Sequence, residues 1–164
     1  MKKILFALAC IMSMASASAQ YIESGYHGFA TIGDAIMVDE TRIGSVDLTT
    51  THGYQFNSKF FLGGGVGYTY VYNNHHDNFS LIPVFADIHY TILDKRITPF
   101  IDVKGGYALN ASYSDDNMGF VSPSVGVRFA IGDTKLGINA SLGYTGYFDH
   151  STENFIHLKV GIDW

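Results

Sequence analysis

The last eleven residues of the chain, 154–164, alternate strictly between two kinds of side chain. One set is apolar and consists of Ile156, Leu158, Val160, Ile162 and Trp164. The other set is mostly polar or small and consists of Phe155, His157, Lys159, Gly161 and Asp163. A period of two residues predicts a β-strand with one apolar and one polar face. This pattern constrains the chain most, because the rest of the chain must supply strands that pair with this one and close a sheet around it.

Seven earlier stretches alternate in the same way, at about residues 25–36, 45–56, 60–72, 80–93, 98–110, 119–131 and 135–148. Tight turns at 57–59, 94–96 and 132–134 alternate along the chain with longer polar loops at 37–44, 73–78, 111–118 and 149–153. Short turns at one end and longer loops at the other are typical of an up-and-down barrel. Closure of such a sheet leaves no unpaired edge, which a bilayer requires.

The composition of the two faces decides between a membrane barrel and a soluble sandwich. The polar set is small, rich in Gly and sparsely charged, whereas a soluble sandwich carries more Lys and Glu outside. Aromatic residues end the apolar set near the breaks: Tyr54, Phe56, Phe60, Tyr68, Tyr70, Tyr72, Tyr90, Tyr144 and Trp164. Aromatic girdles at the two membrane interfaces explain that placement. The predicted fold is all-β, an eight-stranded antiparallel transmembrane up-and-down β-barrel.

The N-terminus reads as a secretory signal. Lys2 and Lys3 precede a short apolar core at 4–14, and Ala17-Ser18-Ala19 is a small-x-small cleavage site. We therefore predict a signal peptide at residues 1–19, cleaved after Ala19, and an outer-membrane β-barrel domain at 20–164. A lipoprotein signal ending at Cys10 would have only about nine residues, shorter than the usual 15–30. Cys10 is the single cysteine, so disulfides and thiol chemistry are excluded from the mature chain.

Charge disfavours one class of partner. The chain has ten Lys and Arg against fifteen Asp and Glu, and loss of Lys2 and Lys3 leaves a mature net charge of about −7. Phosphate neutralisation needs basic residues, so nucleic acid is not expected as a partner. The sequence predicts no cofactor.

Several stretches resemble small outer-membrane β-barrel proteins of Bacteroidetes-type bacteria. They are Thr51-His52-Gly53-Tyr54-Gln55-Phe56-Asn57 running into Phe60-Phe61-Leu62-Gly63-Gly64-Gly65-Val66-Gly67, then Pro83-Val84-Phe85-Ala86-Asp87, Thr98-Pro99-Phe100-Ile101-Asp102 and Pro123-Ser124-Val125-Gly126-Val127-Arg128-Phe129. The resemblance implies an OmpA/OmpX-like eight-stranded barrel in the outer membrane, mostly without an assigned activity. The terminal Trp164 resembles the signal that the barrel-assembly machinery reads.

Charges on the polar face form the candidate site. Asp87, Asp102, Lys104 and Arg128 lie on consecutive predicted strands, and Lys159 and Asp163 lie inward on the last one. An eight-stranded barrel is just wide enough for side chains to fill it. These six residues therefore suggest an ion-paired plug, which is favourable only if all charges are paired. The alternative is a gated narrow pore.

The loops carry the other candidates. Their charges are almost all acidic (Asp39, Glu40, Asp77, Asp115, Asp116, Asp149 and Glu153, against Arg42), whereas cations occupy the tight turns (Lys59, Lys95, Arg96 and Lys135). Acidic loops suit divalent cations beside lipopolysaccharide, or surface ligands. His75-His76-Asp77 has metal-ligand types but no supporting spacing. His150-Ser151 with Glu153 has catalytic types, but neighbours along a chain seldom reach the required geometry.

Three positions fit the strands poorly. His52 falls on the apolar side of its strand, either as a neutral side chain near an interface or because Gly53 forms a bulge. Pro83 and Pro123 lack a ladder N–H, so we expect irregular pairing there.

The predicted function is a structural or surface-interaction role, such as envelope integrity or adhesion, in a non-enzymatic monomer. The predicted partners are outer-membrane lipid, lipopolysaccharide, the barrel-assembly machinery and ligands of the loops. A narrow channel for ions or small solutes is the first alternative, and a lipid A-modifying enzyme the second.

Overall fold

The computed structural model describes residues 24–38, 43–73, 78–93, 96–112, 117–132, 134–148 and 152–164. The predicted signal peptide lies outside them. Eight strands form one closed antiparallel barrel in chain order. The strands are β1 (Gly25–Met37), β2 (Ile43–Gln55), β3 (Phe60–Asn73), β4 (Phe79–Thr91), β5 (Ile97–Asn110), β6 (Met118–Ala130), β7 (Gly137–Phe148) and β8 (Thr152–Asp163).

The terminal strand closes the cylinder. It pairs with β7 on one side and with β1 on the other, in a register that places Phe29 opposite Asp163 and Met37 opposite Phe155. Trp164 extends the seam by one residue, since its backbone exchanges hydrogen bonds of 3.0 and 3.1 Å with Gly28. The eight predicted strands and the closure are therefore confirmed, with ends shifted by only one or two residues.

Side chains alternate between the lumen and the outside along every strand, as the period of two requires. In β4, for example, Leu81, Phe85 and His89 are buried, whereas Val84 and Ile88 are exposed. The outer wall is aliphatic in its middle (Leu48, Val66, Val84, Val103, Val125, Leu142, Leu158 and Val160) and aromatic towards both ends (Tyr26, Tyr54, Phe56, Tyr90 and Phe129; Tyr68, Tyr70, Tyr72, Tyr107, Tyr144 and Phe148). This distribution is typical of the outer face of a transmembrane barrel.

The tight turns have local causes. The Asn57 side-chain oxygen accepts hydrogen bonds of 2.9 Å from the backbone N–H groups of Lys59 and Phe60, which closes the β2–β3 turn. Gly132 adopts a φ of 57°, a left-handed conformation that glycine tolerates without strain, in the β6–β7 turn. We call the end of the barrel with these turns and the C-terminus the turn end, and the other the loop end.

Of the three positions that fit the strand pattern poorly, the two prolines interrupt strand pairing. Pairing of β3 with β4 is interrupted between Val66–Val84 and Thr69–Leu81, around Pro83. Pairing of β6 with β7 is interrupted in the same way around Pro123, so irregular pairing at both prolines is confirmed.

The bulge considered at Gly53 is wrong, because the registers of β2 with β1 and with β3 run continuously through His52 and Gly53. The His52 ring instead lies on the outer wall. It accepts or donates hydrogen bonds with Tyr26 (2.5 Å) and Thr50 (2.9 Å). Among the described residues, no helix is long and apolar enough to cross a membrane.

Candidate functional site in the barrel lumen

The six lumen charges named from the sequence fall into three separate groups. Lys104 contacts Asp102 at 2.6 Å and Asp87 at 3.4 Å near the middle of the barrel. Arg128 pairs with Asp163 at 2.6 Å near the turn end. The third group joins Lys159 to Asp47 at 3.0 Å, towards the loop end. Arg128 therefore pairs with a carboxylate of β8 and not with the charges of β4 and β5.

The central group follows from strand register. Asp87 lies directly opposite Lys104 in the β4–β5 ladder, and Asp102 is two residues away on the same face. Ser124 lies opposite Asp102 on β6, and its hydroxyl donates a hydrogen bond of 3.1 Å to Asp102 Oδ1. Both carboxylates are more than nine-tenths buried, so the ammonium between them is essential to their burial.

The Arg128–Asp163 pair spans an intervening strand. It joins β6 to β8 across Gly137 of β7, where an added Cβ would lie 2.6 Å from both Arg128 Nε and Asp163 Oδ1. Arg128 also donates to the Lys135 carbonyl at 3.0 Å. His27 Nε2 lies 3.5 Å from Asp163 Oδ2. Because Gly137 has no side chain, the Arg128 and Asp163 side chains can meet over it.

The Lys159–Asp47 pair repeats this arrangement at the seam. Both residues lie opposite Gly33 of β1, one on each neighbouring strand. A Cβ on Gly33 would lie 2.6 Å from Lys159 Cγ and 3.1 Å from Asp47 Oδ1. The terminal strand therefore carries one ion pair to β6 and another to β2, each over a glycine, and is held from both sides.

An aromatic partition crosses the lumen near the turn end. Phe100 stacks on His89 with ring centroids 4.4 Å apart, and His89 stacks on Phe29 at 5.3 Å. Phe61 and His27 meet Phe29 edge-on at 5.1 and 4.8 Å. We call these five residues the turn-side partition. Ring contacts at this spacing are close-packed, so these side chains narrow the lumen between the strands that they line.

A second partition lies towards the loop end. The Phe85, Phe120, Tyr147 and Phe155 rings follow one another at 6.2, 5.8 and 5.8 Å. Phe85 and Phe120 also join a buried apolar cluster with Val71, Leu81 and Ala108. We call the four aromatic residues the loop-side partition. Their rings form an apolar layer across that end of the lumen.

Sequence reasoning missed both partitions, although a signal was present. Gly65 lies opposite Phe85, and Gly126 lies opposite Phe100, on the inner face. Built Cβ atoms at these glycines would collide with the two rings. An inward glycine directly across from an inward phenylalanine therefore marks a ring that folds over its neighbour strand. Asp47 and His27 were also missed.

Two small cavities, each of about 30 Å³, remain between the partitions. The loop-side cavity is lined by Asp47 and Thr145, and the turn-side cavity by Asp87 and Asp102; both share Lys104, Ser122, His157 and Lys159. We call them together the polar chamber. Each has room for about two water molecules, so the lumen is filled rather than a channel of bulk water.

Trp164, named as the assembly signal, sits on the outer wall at the turn end. Its indole covers Gly28, where a Cβ would lie 2.7 Å from the ring, and its centroid is 6.0 Å from that of His52. The position belongs to the aromatic girdle at that end.

The loop candidates lie largely outside the described residues. This holds for His75-His76-Asp77, for His150-Ser151 and for all the acidic loop residues named above except Glu153, which is half-buried at the start of β8. Within the described part of the chain, no three His, Cys, Asp or Glu side chains converge as a metal site.

Comparison with known proteins identifies the fold. No family model matches the chain, and no curated protein matches it in sequence. The similar solved structures include the Neisserial surface protein A, NspA, with a TM-score of 0.59 and 15% identity over 86% of this chain and 97% of that one. They also include the N-terminal β-barrel domain of Pseudomonas aeruginosa OprF, with a TM-score of 0.54 and 11% identity over 87% of this chain and 100% of that one. At these identities the likeness establishes an outer-membrane type of eight-stranded β-barrel fold. The Bacteroidetes origin stays a prediction.

Proposed function

We propose that the chain is an integral outer-membrane barrel with a structural and surface-interaction role, and that its lumen does not transport solutes. One observation carries the proposal: two aromatic partitions and three buried ion-pair groups fill the lumen. An eight-stranded barrel filled by its own side chains offers a rigid wall and a platform for loops. Envelope integrity and adhesion are functions that need only those two parts.

Three features support the proposed membrane location. The outer wall is an aliphatic band between aromatic girdles, which matches the lipid-facing surface of an outer-membrane barrel. The predicted signal peptide at 1–19 supplies the route of export. Both structural neighbours carry the same fold, NspA being a surface protein by name.

The proposed orientation places the loop end outside the cell and the turn end in the periplasm, since barrels of this type have short periplasmic turns. The acidic loops then face lipopolysaccharide and surface ligands. Trp164 lies at the end that meets the barrel-assembly machinery. A closed sheet has no free edge to pair, which favours a monomer.

Surface labelling of intact cells tests the orientation. An epitope inserted within residues 74–77 should bind antibody on intact cells, whereas the same epitope inserted at residue 58 in the β2–β3 turn should bind only after permeabilisation. Unboiled samples should migrate faster in gels than boiled ones, as compact barrels do. Labelling of the turn epitope on intact cells contradicts the orientation, and identical migration contradicts the barrel in the membrane.

A narrow channel is the second candidate function, and the polar chamber favours it. Its hydroxyl, carboxylate and ammonium groups are the kinds that line ion paths. A channel requires both partitions to open. Vesicles containing the protein should then swell in isosmotic solutions of small sugars or amino acids, and absence of swelling supports the filled lumen instead.

A further inference from the structure

The polar chamber contains one more carboxylate than ammonium group. Asp47, Asp87 and Asp102 line its two cavities, against Lys104 and Lys159. All three carboxylates are more than nine-tenths buried. An uncompensated charge in such a site is costly, so the surplus negative charge is balanced either by a proton or by a bound cation.

The uncompensated group is Asp87. Asp47 Oδ2 lies 3.0 Å from Lys159 Nζ, an ion-pair contact although not in hydrogen-bond geometry. Asp102 uses both oxygens, one on Lys104 and one on the Ser124 hydroxyl. Asp87 contacts Lys104 through Oδ2 at the longer distance of 3.4 Å, and its buried Oδ1 has no hydrogen-bond partner.

Two histidines also face the chamber. His157 lines both cavities together with Lys104 and Lys159, so a third cation on its ring meets repulsion from both ammonium groups. The His89 ring is stacked between Phe29 and Phe100, where a charged imidazole is cut off from water. Neither ring is well placed to carry the missing charge.

The turn-side cavity next to Asp87 is rich in oxygen ligands. The Thr51, Ser124 and Ser141 hydroxyls and the Asn139 side chain line it together with the two carboxylates. Oxygen ligands suit hard cations. A divalent ion would overcompensate the chamber, and Mg²⁺ keeps several of its waters, for which about 30 Å³ leaves little room.

We propose that the turn-side cavity binds one small monovalent cation, with Asp87 Oδ1 as its anionic ligand. Sodium carries the single positive charge that balances the surplus carboxylate, and it is smaller than potassium. The ion completes the charge balance of the chamber and stabilises the folded barrel, since a ligand that binds only the folded state raises its stability by mass action.

Thermal unfolding of the full chain, refolded in a zwitterionic detergent, tests the site. The apparent Tm is measured in sodium, potassium and choline chloride at equal ionic strength, at pH 6 and pH 8. Sodium should raise the Tm above choline at both pH values, by roughly 5–10 °C at a concentration about a hundredfold above Kd. Potassium should give a smaller rise because it is larger.

The matched variants are Asp87→Asn and Asp34→Asn. Asp34 is an exposed carboxylate on the outer wall that accepts a hydrogen bond of 3.3 Å from Tyr72, so its variant makes the same change outside the chamber. Asp87→Asn should abolish the difference between sodium and choline while keeping the Tm in choline at or above that of the wild type. Asp34→Asn should retain the difference.

Two outcomes overturn the site. Equal Tm values in sodium and choline at both pH values remove the need for a bound ion. A Tm that changes with pH alone assigns the charge to a proton on Asp87 or a histidine. If Asp87→Asn fails to fold, sodium-23 NMR of the wild-type protein replaces this variant. The barrel should broaden the sodium resonance, and excess lithium should narrow it again by displacing the bound sodium. A sodium resonance that the barrel does not broaden rejects binding.

Discussion

The Arg128–Asp163 pair gives the sharpest test of how the terminal strand is held. The two side chains are 8% and 0% exposed and meet at 2.6 Å. Breaking a buried pair by removing one partner costs about 3–5 kcal/mol, because the other charge remains buried without compensation. Arg128→Met keeps much of the side-chain volume, so it should lower the free energy of unfolding by about that amount. His27, at 3.5 Å from Asp163, places the expected cost towards the lower limit.

A double-mutant cycle separates the pair from its surroundings. Asp163→Asn alone should also destabilise the barrel, whereas Arg128→Met with Asp163→Asn should cost less than the sum of the two changes. The coupling expected for a contacting buried pair is about 2 kcal/mol or more. Arg96→Met is the control, since Arg96 is exposed at the rim, and it should change stability by no more than about 0.5 kcal/mol.

Urea unfolding in lipid vesicles provides the assay. Trp164 is the single tryptophan of the chain and lies on the same terminal strand, so its fluorescence reports release of that strand. If the free-energy costs of the two single variants add up to that of the double variant within about 0.5 kcal/mol, Arg128 and Asp163 act independently, and the proposed coupling is refuted.

Three further predictions follow from the wall and the seam. Gly33→Ala should destabilise the barrel by about 1–3 kcal/mol in the same urea assay, because the new Cβ would lie 2.6 Å from Lys159 Cγ. The control Gly105→Ala should be nearly neutral, because the atom nearest to its new Cβ is 3.9 Å away. Equal losses of stability in the two variants contradict the packing of the seam. Leu142→Arg, on the lipid-facing wall, should cost about 2–4 kcal/mol in vesicles, and a smaller loss in lipid than in detergent argues against a membrane location for that face. Deletion of Trp164 should reduce insertion into the membrane in cells, measured by the heat-modifiable band, and normal insertion removes its role as an assembly signal.

Most of the barrel could be predicted because strand period and turn chemistry are local. Val84, Asp87 and Ile88 take the faces that their spacing in the sequence assigns to them. Asn57 closes its turn through its own side chain. The Pro83 irregularity follows from a missing N–H, which the residue type alone determines.

The pairing of charges could not be predicted because it depends on register between strands far apart in sequence. Lys159 and Asp47 meet only because both lie opposite Gly33 when the cylinder closes. Arg128 reaches Asp163 only over Gly137. A shift of one residue in either ladder would turn these side chains to the other face.

The outer wall contains a further example. Asp34 lies on the apolar face of β1, between Ile32 and Ile36, and is exposed. The Tyr72 side chain crosses β2 at Gly44, where a Cβ would collide with its ring, to donate its hydroxyl to this carboxylate. The partner is on β3, so neither the acid nor its position could be explained from the local pattern.

Single-channel recording in planar bilayers tests the filled lumen most directly. The refolded wild type should give no steady conductance, because the turn-side and loop-side partitions both close the path. The combined variant Phe29→Ala, Phe61→Ala, Phe120→Ala and Phe155→Ala removes two rings from each partition and should conduct if it retains the heat-modifiable band. Stable openings of the wild type in symmetric salt would contradict the account and establish the channel instead.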